Sequence, residues 1–195
     1  MSTTVISADD ALKELMDGNR RFMEEHQKHP HEDRQWRYSL TEGQHPFAVI
    51  LTCSDSRVAP EIIFDQGLGD LFVIRVAGNV AREKVIGSIE YAIAHLGTKL
   101  IVVMGHEKCG AVGASLEIDE NEGHIGAIIQ AIKPAVYLAK QMEGDLLTNS
   151  IRNNAQMVAE QLKEAQPILT REIKSGGVKV VPAYYKISTG EVELL

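Results

Sequence analysis

Three short runs of apolar residues most constrain how this chain can fold. They span residues 47–52, 71–76 and 100–104, and each is apolar almost throughout. A strand that alternates apolar and polar residues covers only one face of a sheet, whereas an uninterrupted apolar run is typical of a strand buried on both faces. We therefore expect a parallel sheet with helices on both of its faces.

Segments with helical periodicity follow the second and third of these runs. Three helices are predicted, over residues 85–96, 125–142 and 147–164. Gly97 suits the position just after the first of them, and Pro134 is expected to kink or shorten the second. A last strand is predicted over 178–185, followed by a turn at 188–190. The alternation of strands and helices predicts an α/β fold with a mainly parallel sheet flanked by helices.

An N-terminal segment precedes the first strand. Ser7 is a plausible N-cap, and Asp10 lies three residues later, close to a capping box. Apolar residues then recur at helical spacing as far as Met23, with Asn19 as the polar exception. These features predict an amphipathic N-terminal helix.

Length and composition fit one domain of a globular protein. The chain has 195 residues, of which 44% are hydrophobic and 24% charged. Residues 26–45 are polar and are expected to form a loop or short helix. We therefore divide the chain, a single domain overall, into a helical arm with a covering loop, residues 1–44, and an α/β domain, residues 45–195.

Net charge and hydrophobicity limit the classes of binding partner and the cellular location that we expect. The formal net charge of −7 does not favour binding to nucleic acid or to an anionic membrane. No apolar stretch approaches the roughly 20 residues that a membrane-spanning helix needs. The N-terminus lacks the basic start and apolar core of a signal peptide, so we expect a cytoplasmic protein.

The chain has two cysteines, Cys53 and Cys109, and each closely follows a predicted strand. Ligands of parallel α/β sheets bind where loops leave the carboxyl ends of the strands. The two thiols are therefore expected in one crevice. In a reducing compartment such thiols are buried structural residues, metal ligands or nucleophiles rather than a disulfide.

His106 lies near Cys109, with two residues between them, and it completes a set of two thiols and one imidazole. This set suits Zn²⁺. Structural zinc sites usually have four protein ligands, whereas catalytic sites use three and leave the fourth position to water. A site with two cysteines and one histidine stays open unless Asp55 closes it.

The motifs Cys53-x-Asp55-x-Arg57 and His106-x-x-Cys109-Gly resemble the signature of the β-class carbonic anhydrases. Other segments are similar to the bacterial branch of that family, namely 46–49, 63–72, 75–79, 87–92, 123–126 and 189–190. The resemblance runs from about residue 8 to the end of the chain. It implies reversible hydration of carbon dioxide to bicarbonate and a proton, with zinc hydroxide as the nucleophile and one Zn²⁺ per chain.

The resemblance also implies roles for individual residues. The zinc ligands would be Cys53, His106 and Cys109. Asp55 would accept a hydrogen bond from the zinc-bound water or hydroxide, and Arg57 would hold Asp55 away from the metal. The substrate cleft would include Gln44, Phe72, Ala77, Tyr91 and Gly110, partly across a dimer interface. A homodimer or homotetramer is implied, with N-terminal helices packed on the neighbouring subunit.

Two features, one single residue and one pair of residues, distinguish this chain within the family pattern. Ile50 stands where one branch has a tryptophan that is associated with an inhibitory bicarbonate pocket, so the chain resembles the open-site branch. The charged pair Glu107-Lys108 stands where small residues are more usual, and it could alter substrate or proton access.

His45 lies close to the first motif and is a candidate proton relay.

Other interpretations of these residues remain open at the level of sequence. The same site could hydrolyse COS or CS₂, since the width of the cleft decides the substrate. A non-catalytic zinc or redox module is a further alternative, in which Cys53 and Cys109 oxidise and release the metal. The Asp55–Arg57 pair argues against it, because a purely structural site needs no such pair.

Overall fold

A five-stranded sheet forms the centre of the fold. The computed structural model describes residues 6–117 and 123–195. Its strands are β1 (Ala48–Thr52), β2 (Leu71–Arg75), β3 (Leu100–His106), β4 (Lys179–Tyr185) and β5 (Val192–Leu194). Their spatial order is β2-β1-β3-β4-β5. The first four are parallel and β5 is antiparallel to β4, which confirms the predicted, mainly parallel α/β sheet.

Helices account for most of the remaining described chain. They are α1 (Ala8–Met23), α2 (Arg34–Ser39), α3 (Pro60–Ile63), α4 (Glu83–Leu96), α5 (Gly110–Glu117), α6 (Ile125–Ala139), α7 (Leu146–Glu164) and α8 (Ile168–Lys174). The predicted helices correspond to α4, α6 and α7. Helix α6 continues through Pro134 and ends before the predicted limit at residue 142. Within the described residues, no helix combines the length and apolar character needed to cross a membrane.

Alternate residues of β1 supply two apolar layers, one on each face of the sheet. Val49 and Leu51 belong to the layer covered by α4 and α7, together with Ile89. Ile50 belongs to the opposite layer, covered by α1 and α3. All three β1 residues are fully buried, as expected for a strand packed on both faces.

Strand β2 is less buried than its apolar sequence predicted. Its residues are only partly buried, and Arg75 at its end is exposed. The physical reason is its position, because β2 is at the edge of the sheet and has one neighbouring strand, β1. This apolar edge is therefore open in the single chain.

Helix α1 packs on the sheet of its own chain. Ser7 caps it by accepting a hydrogen bond from the Asp10 backbone N–H at 3.1 Å, as predicted. Ala11 and Leu15 are fully buried. A Cβ atom at Gly18 would lie 1.8 Å from the Phe64 carbonyl oxygen, so the close approach of the helix requires glycine there. Packing of this helix on a partner subunit stays a prediction.

Asn19, the polar exception on this helix face, connects α1 to the C-terminal turn. Its side-chain amide donates to the carbonyl oxygens of Ile63, at 3.1 Å, and Gly190, at 2.8 Å. Its side-chain oxygen accepts from the backbone N–H of Val192 at 2.9 Å. A buried polar side chain is stable only when it is hydrogen-bonded, and Asn19 meets this condition with backbone groups from two other segments.

Candidate metal centre

Cys53, His106 and Cys109 meet at the carboxyl edge of the sheet. Cys53 directly follows β1, His106 is the last residue of β3, and Cys109 directly precedes α5. Strands β1 and β3 are neighbours, with Thr52 opposite Met104. Because adjacent parallel strands end at the same edge, the two motifs come together, and the predicted common crevice is confirmed.

The three side chains present ligand atoms at distances that suit a metal ion. Their sulfur and nitrogen atoms all lie within 4.8 Å of one another, and all three residues are buried. The sulfur atoms of Cys53 and Cys109 are 4.0 Å apart. Tetrahedral zinc with Zn–S bonds of about 2.3 Å separates two sulfurs by about 3.8 Å. The donor set therefore fits Zn²⁺ in both chemistry and spacing.

The His106 ring is oriented for coordination through Nε2. Its Nδ1 lies 3.0 Å from the Glu107 carbonyl oxygen. Because a carbonyl oxygen only accepts, Nδ1 carries the proton and Nε2 has a free lone pair. Nε2 is buried and makes no hydrogen bond. A buried nitrogen of this kind is explained by a metal ligand role.

The environment of the thiols favours a negative charge on Cys53. The Cys109 thiol donates to the Cys53 sulfur, and this bond lowers the pKa of Cys53, although burial opposes it. The same bond raises the pKa of Cys109, and burial raises it further. Cys53 also accepts from the Gly78 backbone N–H at 3.3 Å. Cys53 is therefore the more acidic of the two thiols.

Gly78 was not singled out from the sequence, and its conformation explains why glycine occupies this position. Its φ of 69° lies in the left-handed region. A Cβ atom there would lie 2.6 Å from Cδ1 of Ile132. The Asn154 side chain donates to the Gly78 carbonyl oxygen at 2.8 Å, and so holds this glycine from the side of its 78–79 peptide, while its N–H faces Cys53.

Asp55 and Arg57 form a two-pronged ion pair beside the ligands. Arg57 Nε lies 2.9 Å from Asp55 Oδ1, and Nη2 lies 2.8 Å from Oδ2. The backbone N–H of Arg57 also donates to Oδ1. These bonds hold the pKa of Asp55 well below its usual range, so the carboxylate is ionised. Its Oδ2 is 3.9 Å from His106 Nε2, close to the position that a metal would occupy.

Two arginines connect the Cys53-x-Asp55-x-Arg57 motif to neighbouring segments by hydrogen bonds to backbone carbonyl oxygens. Arg57 Nη2 also donates to the Lys108 carbonyl oxygen at 3.3 Å, which joins the two ligand segments. Arg75, at the end of β2, donates to the carbonyl oxygens of Cys53, at 3.0 Å, and Asp55, at 2.5 Å. The motif around residue 75 was visible in the sequence, but this contact depends on the pairing of β1 with β2.

The predicted cleft residues fall into two groups. Ala77 precedes Gly78 and Gly110 follows Cys109, so both lie in segments that form the metal centre. Phe72 pairs with Val49 at the other end of β1, and Gln44 precedes that strand. At about 3.3 Å per residue, Phe72 is on the order of 13 Å along the strand from Cys53.

Phe72 of β2 and Tyr91 of α4, the remaining predicted cleft residue, form an aromatic surface at the edge of the sheet. The rings of Phe72 and Tyr91 are 6.5 Å apart, and those of Tyr91 and His95 are 5.1 Å apart. Tyr91 is 49% exposed despite its size. His95 was not singled out from the sequence, although its position one helical turn after Tyr91 is a signal that could have identified it. His45, the predicted relay, is exposed.

Comparison with known protein families gives a consistent result. A family model described as carbonic anhydrase matches residues 48–192. The chain is 40% identical over 188 residues to a carbonic anhydrase of Mycolicibacterium smegmatis, covering 94% of this chain and 91% of that one. It is 38% identical over 197 residues to carbonic anhydrase 2 of Mycobacterium tuberculosis, covering 99% and 94% respectively.

Solved structures show the same similarity. The β-carbonic anhydrase CcaA superposes with a TM-score of 0.76 and 28% identity, covering 94% of each chain. A Coccomyxa β-carbonic anhydrase in complex with acetazolamide gives a TM-score of 0.77 and 27% identity, covering 94% of this chain and 86% of that one.

Proposed function

The chain belongs to the carbonic anhydrase family, in its β class, and we infer from this membership that it hydrates carbon dioxide reversibly to bicarbonate and a proton. It is an enzyme and depends on zinc. The observation that carries this function is the convergence of two thiols and one imidazole beside an ionised Asp55–Arg57 pair. An inert zinc module would need the first three groups but not the pair.

Cys53, His106 and Cys109 are the residues that we propose as ligands of one Zn²⁺ per chain. When bound, zinc lowers the pKa of water and supplies a nucleophile near neutral pH. Asp55 then accepts a hydrogen bond from the attacking water and orients its lone pair toward carbon dioxide. Arg57 occupies both carboxylate oxygens, and so keeps Asp55 as a hydrogen-bond acceptor rather than a fourth ligand.

The substrate cleft, in this proposal, is completed by a second subunit. Ala77 and Gly110 line the cleft from the chain that holds the metal. Phe72, opposite Val49, lies too far from Cys53 along the sheet to line it, and Tyr91 packs beside Phe72, so these two residues, and with them Gln44, are proposed to serve the cleft of a neighbouring subunit. The half-exposed Tyr91 beside the open edge of β2 supports this arrangement, because such an apolar surface is typical of a subunit interface.

His95 is proposed as the residue that passes the product proton to buffer. Each hydration releases one proton, and histidine is the side chain that changes charge near neutral pH. The ring of His95 contacts that of Tyr91, and His95 is exposed to solvent. An imidazole between the cleft and water suits proton transfer, whereas His45 makes no comparable ring contact in the described residues.

The remaining proposals concern assembly and location. The enzyme is a homodimer or homotetramer, since the cleft needs residues from two chains, and it acts in the cytoplasm without nucleic acid or membrane partners. We keep the division into an arm with a covering loop, residues 1–44, and a catalytic domain, residues 45–195, of which residues 1–5 and 118–122 lie outside the described residues.

Stopped-flow measurement of carbon dioxide hydration tests the function directly. The zinc content of the same sample is determined, and the rate is followed from about pH 7 to pH 9, where water bound to zinc titrates. A fast rate that disappears with removal of zinc is expected, already near neutral pH. Activity restricted to alkaline pH would show that Asp55 closes the site. Absence of hydration by zinc-loaded protein, with hydrolysis of COS or CS₂, would overturn the assignment.

A further inference from the structure

Glu107 lies between the proposed ligand His106 and Lys108, and each part of it has a separate partner. Its backbone carbonyl accepts from His106 Nδ1 at 3.0 Å. Its backbone N–H donates to the Tyr185 carbonyl oxygen at 2.8 Å. Its carboxylate accepts from the Ser188 backbone N–H at 2.8 Å. The residue thus connects the His106 ring to the turn that follows β4.

The turn that holds the Glu107 carboxylate is itself fixed from both sides. The backbone N–H groups of Thr189 and Gly190 donate to the Lys186 carbonyl oxygen and close the turn. Asn19 of α1 donates to the Gly190 carbonyl oxygen at 2.8 Å and is almost fully buried. The carboxylate is therefore anchored to a segment that cannot follow a rotation of the 107–108 peptide, which bears the Glu107 carbonyl.

The orientation of a histidine ligand depends on the group that accepts its second ring proton. Loss of such a partner commonly costs about 10- to 100-fold in metal affinity. Here the acceptor is a backbone carbonyl, which no substitution removes directly. The side chain of Glu107 offers the way to disturb it, because its bond to Ser188 restricts the peptide that bears this carbonyl.

We propose that Glu107 is a positioning residue of the metal centre, whose carboxylate, anchored on the Ser188 N–H, fixes the carbonyl that orients the His106 ring. This inference rests on the proposed function in taking His106 as a zinc ligand. It replaces the expectation that Glu107 acts as a charge at the rim of the cleft. The anchoring requires a side-chain oxygen within hydrogen-bond distance of the Ser188 N–H, and it does not require a negative charge.

Three substitutions separate anchoring from charge. Glu107→Gln removes the charge but keeps an oxygen that can accept from Ser188. Glu107→Asp keeps the charge but withdraws the carboxylate by one methylene. Glu107→Ala removes both. Glu160→Ala is the matched control, because Glu160 is an exposed glutamate of α7 whose ion pair is with Lys163.

Zinc affinity is measured by competition with a chelator, and ligand geometry is followed by the visible absorption spectrum of the Co²⁺-substituted protein. We expect Glu107→Ala and Glu107→Asp to weaken zinc binding by about 10- to 100-fold and to shift the Co²⁺ bands. Glu107→Gln is expected to stay close to wild type, as is Glu160→Ala. The Glu107→Asp and Glu107→Gln variants carry the comparison if Glu107→Ala does not fold.

Two results would overturn the proposal. Unchanged zinc affinity in Glu107→Asp would show that anchoring is unimportant, and equal losses in Glu107→Gln and Glu107→Ala would show that charge is the cause. The proposed function is tested by a different measurement. If the wild-type protein binds zinc but does not hydrate carbon dioxide, the proposed function is wrong, but the zinc affinities of the Glu107 variants can still be compared.

Discussion

Arg57 holds both oxygens of the Asp55 carboxylate, with Nε 2.9 Å from Oδ1 and Nη2 2.8 Å from Oδ2. The same guanidinium reaches the Lys108 carbonyl oxygen. One side chain therefore fixes the proposed acceptor and joins the segments that carry Cys53 and Cys109. Substitution of Arg57 should affect catalysis more than it affects metal content, because none of its bonds is to a ligand atom.

Arg57→Lys is predicted to lower kcat by about 10- to 100-fold, and Arg57→Ala by about 100- to 1000-fold. Lysine carries the charge but cannot make two parallel bonds to a carboxylate. Zinc content should stay near one per chain in both variants. Stopped-flow hydration with metal analysis checks this, and Arg20→Ala on the surface of α1 is the control. Full activity of Arg57→Ala would contradict the role given to the pair.

Gly78→Ala is predicted to lower the free energy of unfolding by about 1–3 kcal/mol and to weaken zinc binding. The new methyl group would meet Ile132, and φ at this position is 69°. The peptide would then move away from Cys53, which accepts its N–H.

Gly87→Ala is the matched control for this variant. Gly87 lies within α4, and a Cβ atom there would meet no heavy atom of the chain within 4 Å. This substitution should therefore stabilise the protein by about 0.5–1 kcal/mol. Chemical denaturation at fixed protein concentration and chelator competition measure both effects. If Gly78→Ala and Gly87→Ala had the same free energy of unfolding and the same zinc affinity, the role given to Gly78 beside Cys53 would be wrong.

The four parallel strands were predictable from the sequence because their signal is local. Uninterrupted apolar runs identified β1, β2 and β3, and β3 extends beyond the predicted run because Gly105 and His106 also pair with β4. Helices α3 and α8 and strand β5 were not predicted. With 4, 7 and 3 residues respectively, they are too short to show a periodic pattern.

For the site, the sequence predicted the residues of the motifs but not the contacts that orient them. Within each of the two motifs the residues lie only a few positions apart, so their types and spacing indicated a metal centre, and the predicted parallel sheet brought the motifs together. The contacts that orient them come from distant segments, as with Arg75 on the Cys53 carbonyl and Ser188 on the Glu107 carboxylate. Such contacts depend on strand register and turn geometry, which a single sequence does not specify.

Asp65→Asn is predicted to lower the free energy of unfolding at pH 7 by about 1–3 kcal/mol. Burial alone raises the pKa of Asp65, but the hydrogen bonds from Arg21 and from the backbone N–H groups of Lys28 and His29 outweigh it and lower the pKa. The carboxylate therefore stabilises the link between α1 and the following loop.

The pH dependence of this effect has a definite sign. Because the folded-state pKa of Asp65 is below the unfolded-state value, its contribution is full above about pH 4 and is lost as the pH falls through the folded-state pKa. Urea unfolding from pH 7 downward should show the wild type and Asp65→Asn converging in acid. Asp17→Asn, which removes a carboxylate from exposed ion pairs with Lys13 and Arg20, should change the free energy of unfolding far less, because solvent screens such pairs.

His95→Ala is predicted to lower kcat about tenfold or more in dilute buffer and to leave kcat/KM nearly unchanged. Transfer of the product proton would be slowed, whereas the attack on carbon dioxide would not. Added imidazole should restore kcat. His26→Ala, in the exposed loop after α1, is the control. If His45→Ala lost activity in the same way and His95→Ala did not, the relay would be His45.

Mixing two inactive variants tests whether the cleft is shared between subunits. Asp55→Asn disables the metal side of the cleft, and a double variant, Phe72→Ala with Tyr91→Ala, disables the side contributed to a neighbour. In a mixed dimer of two-fold symmetry, one of the two clefts combines a native metal side with a native aromatic side. Random mixing at equal amounts should therefore restore roughly a quarter of wild-type activity.

The outcome of this mixing separates the two arrangements of the cleft. The variants are unfolded together, refolded and assayed for hydration, with each variant refolded alone as the control. If all cleft residues served their own chain, every cleft in the mixture would carry one defect and activity would stay at the level of the variants alone. Recovered activity requires that Phe72 and Tyr91 act on the metal centre of another subunit. The distance of Phe72 from Cys53 along the sheet, and the packing of Tyr91 beside Phe72, lead us to expect that recovery.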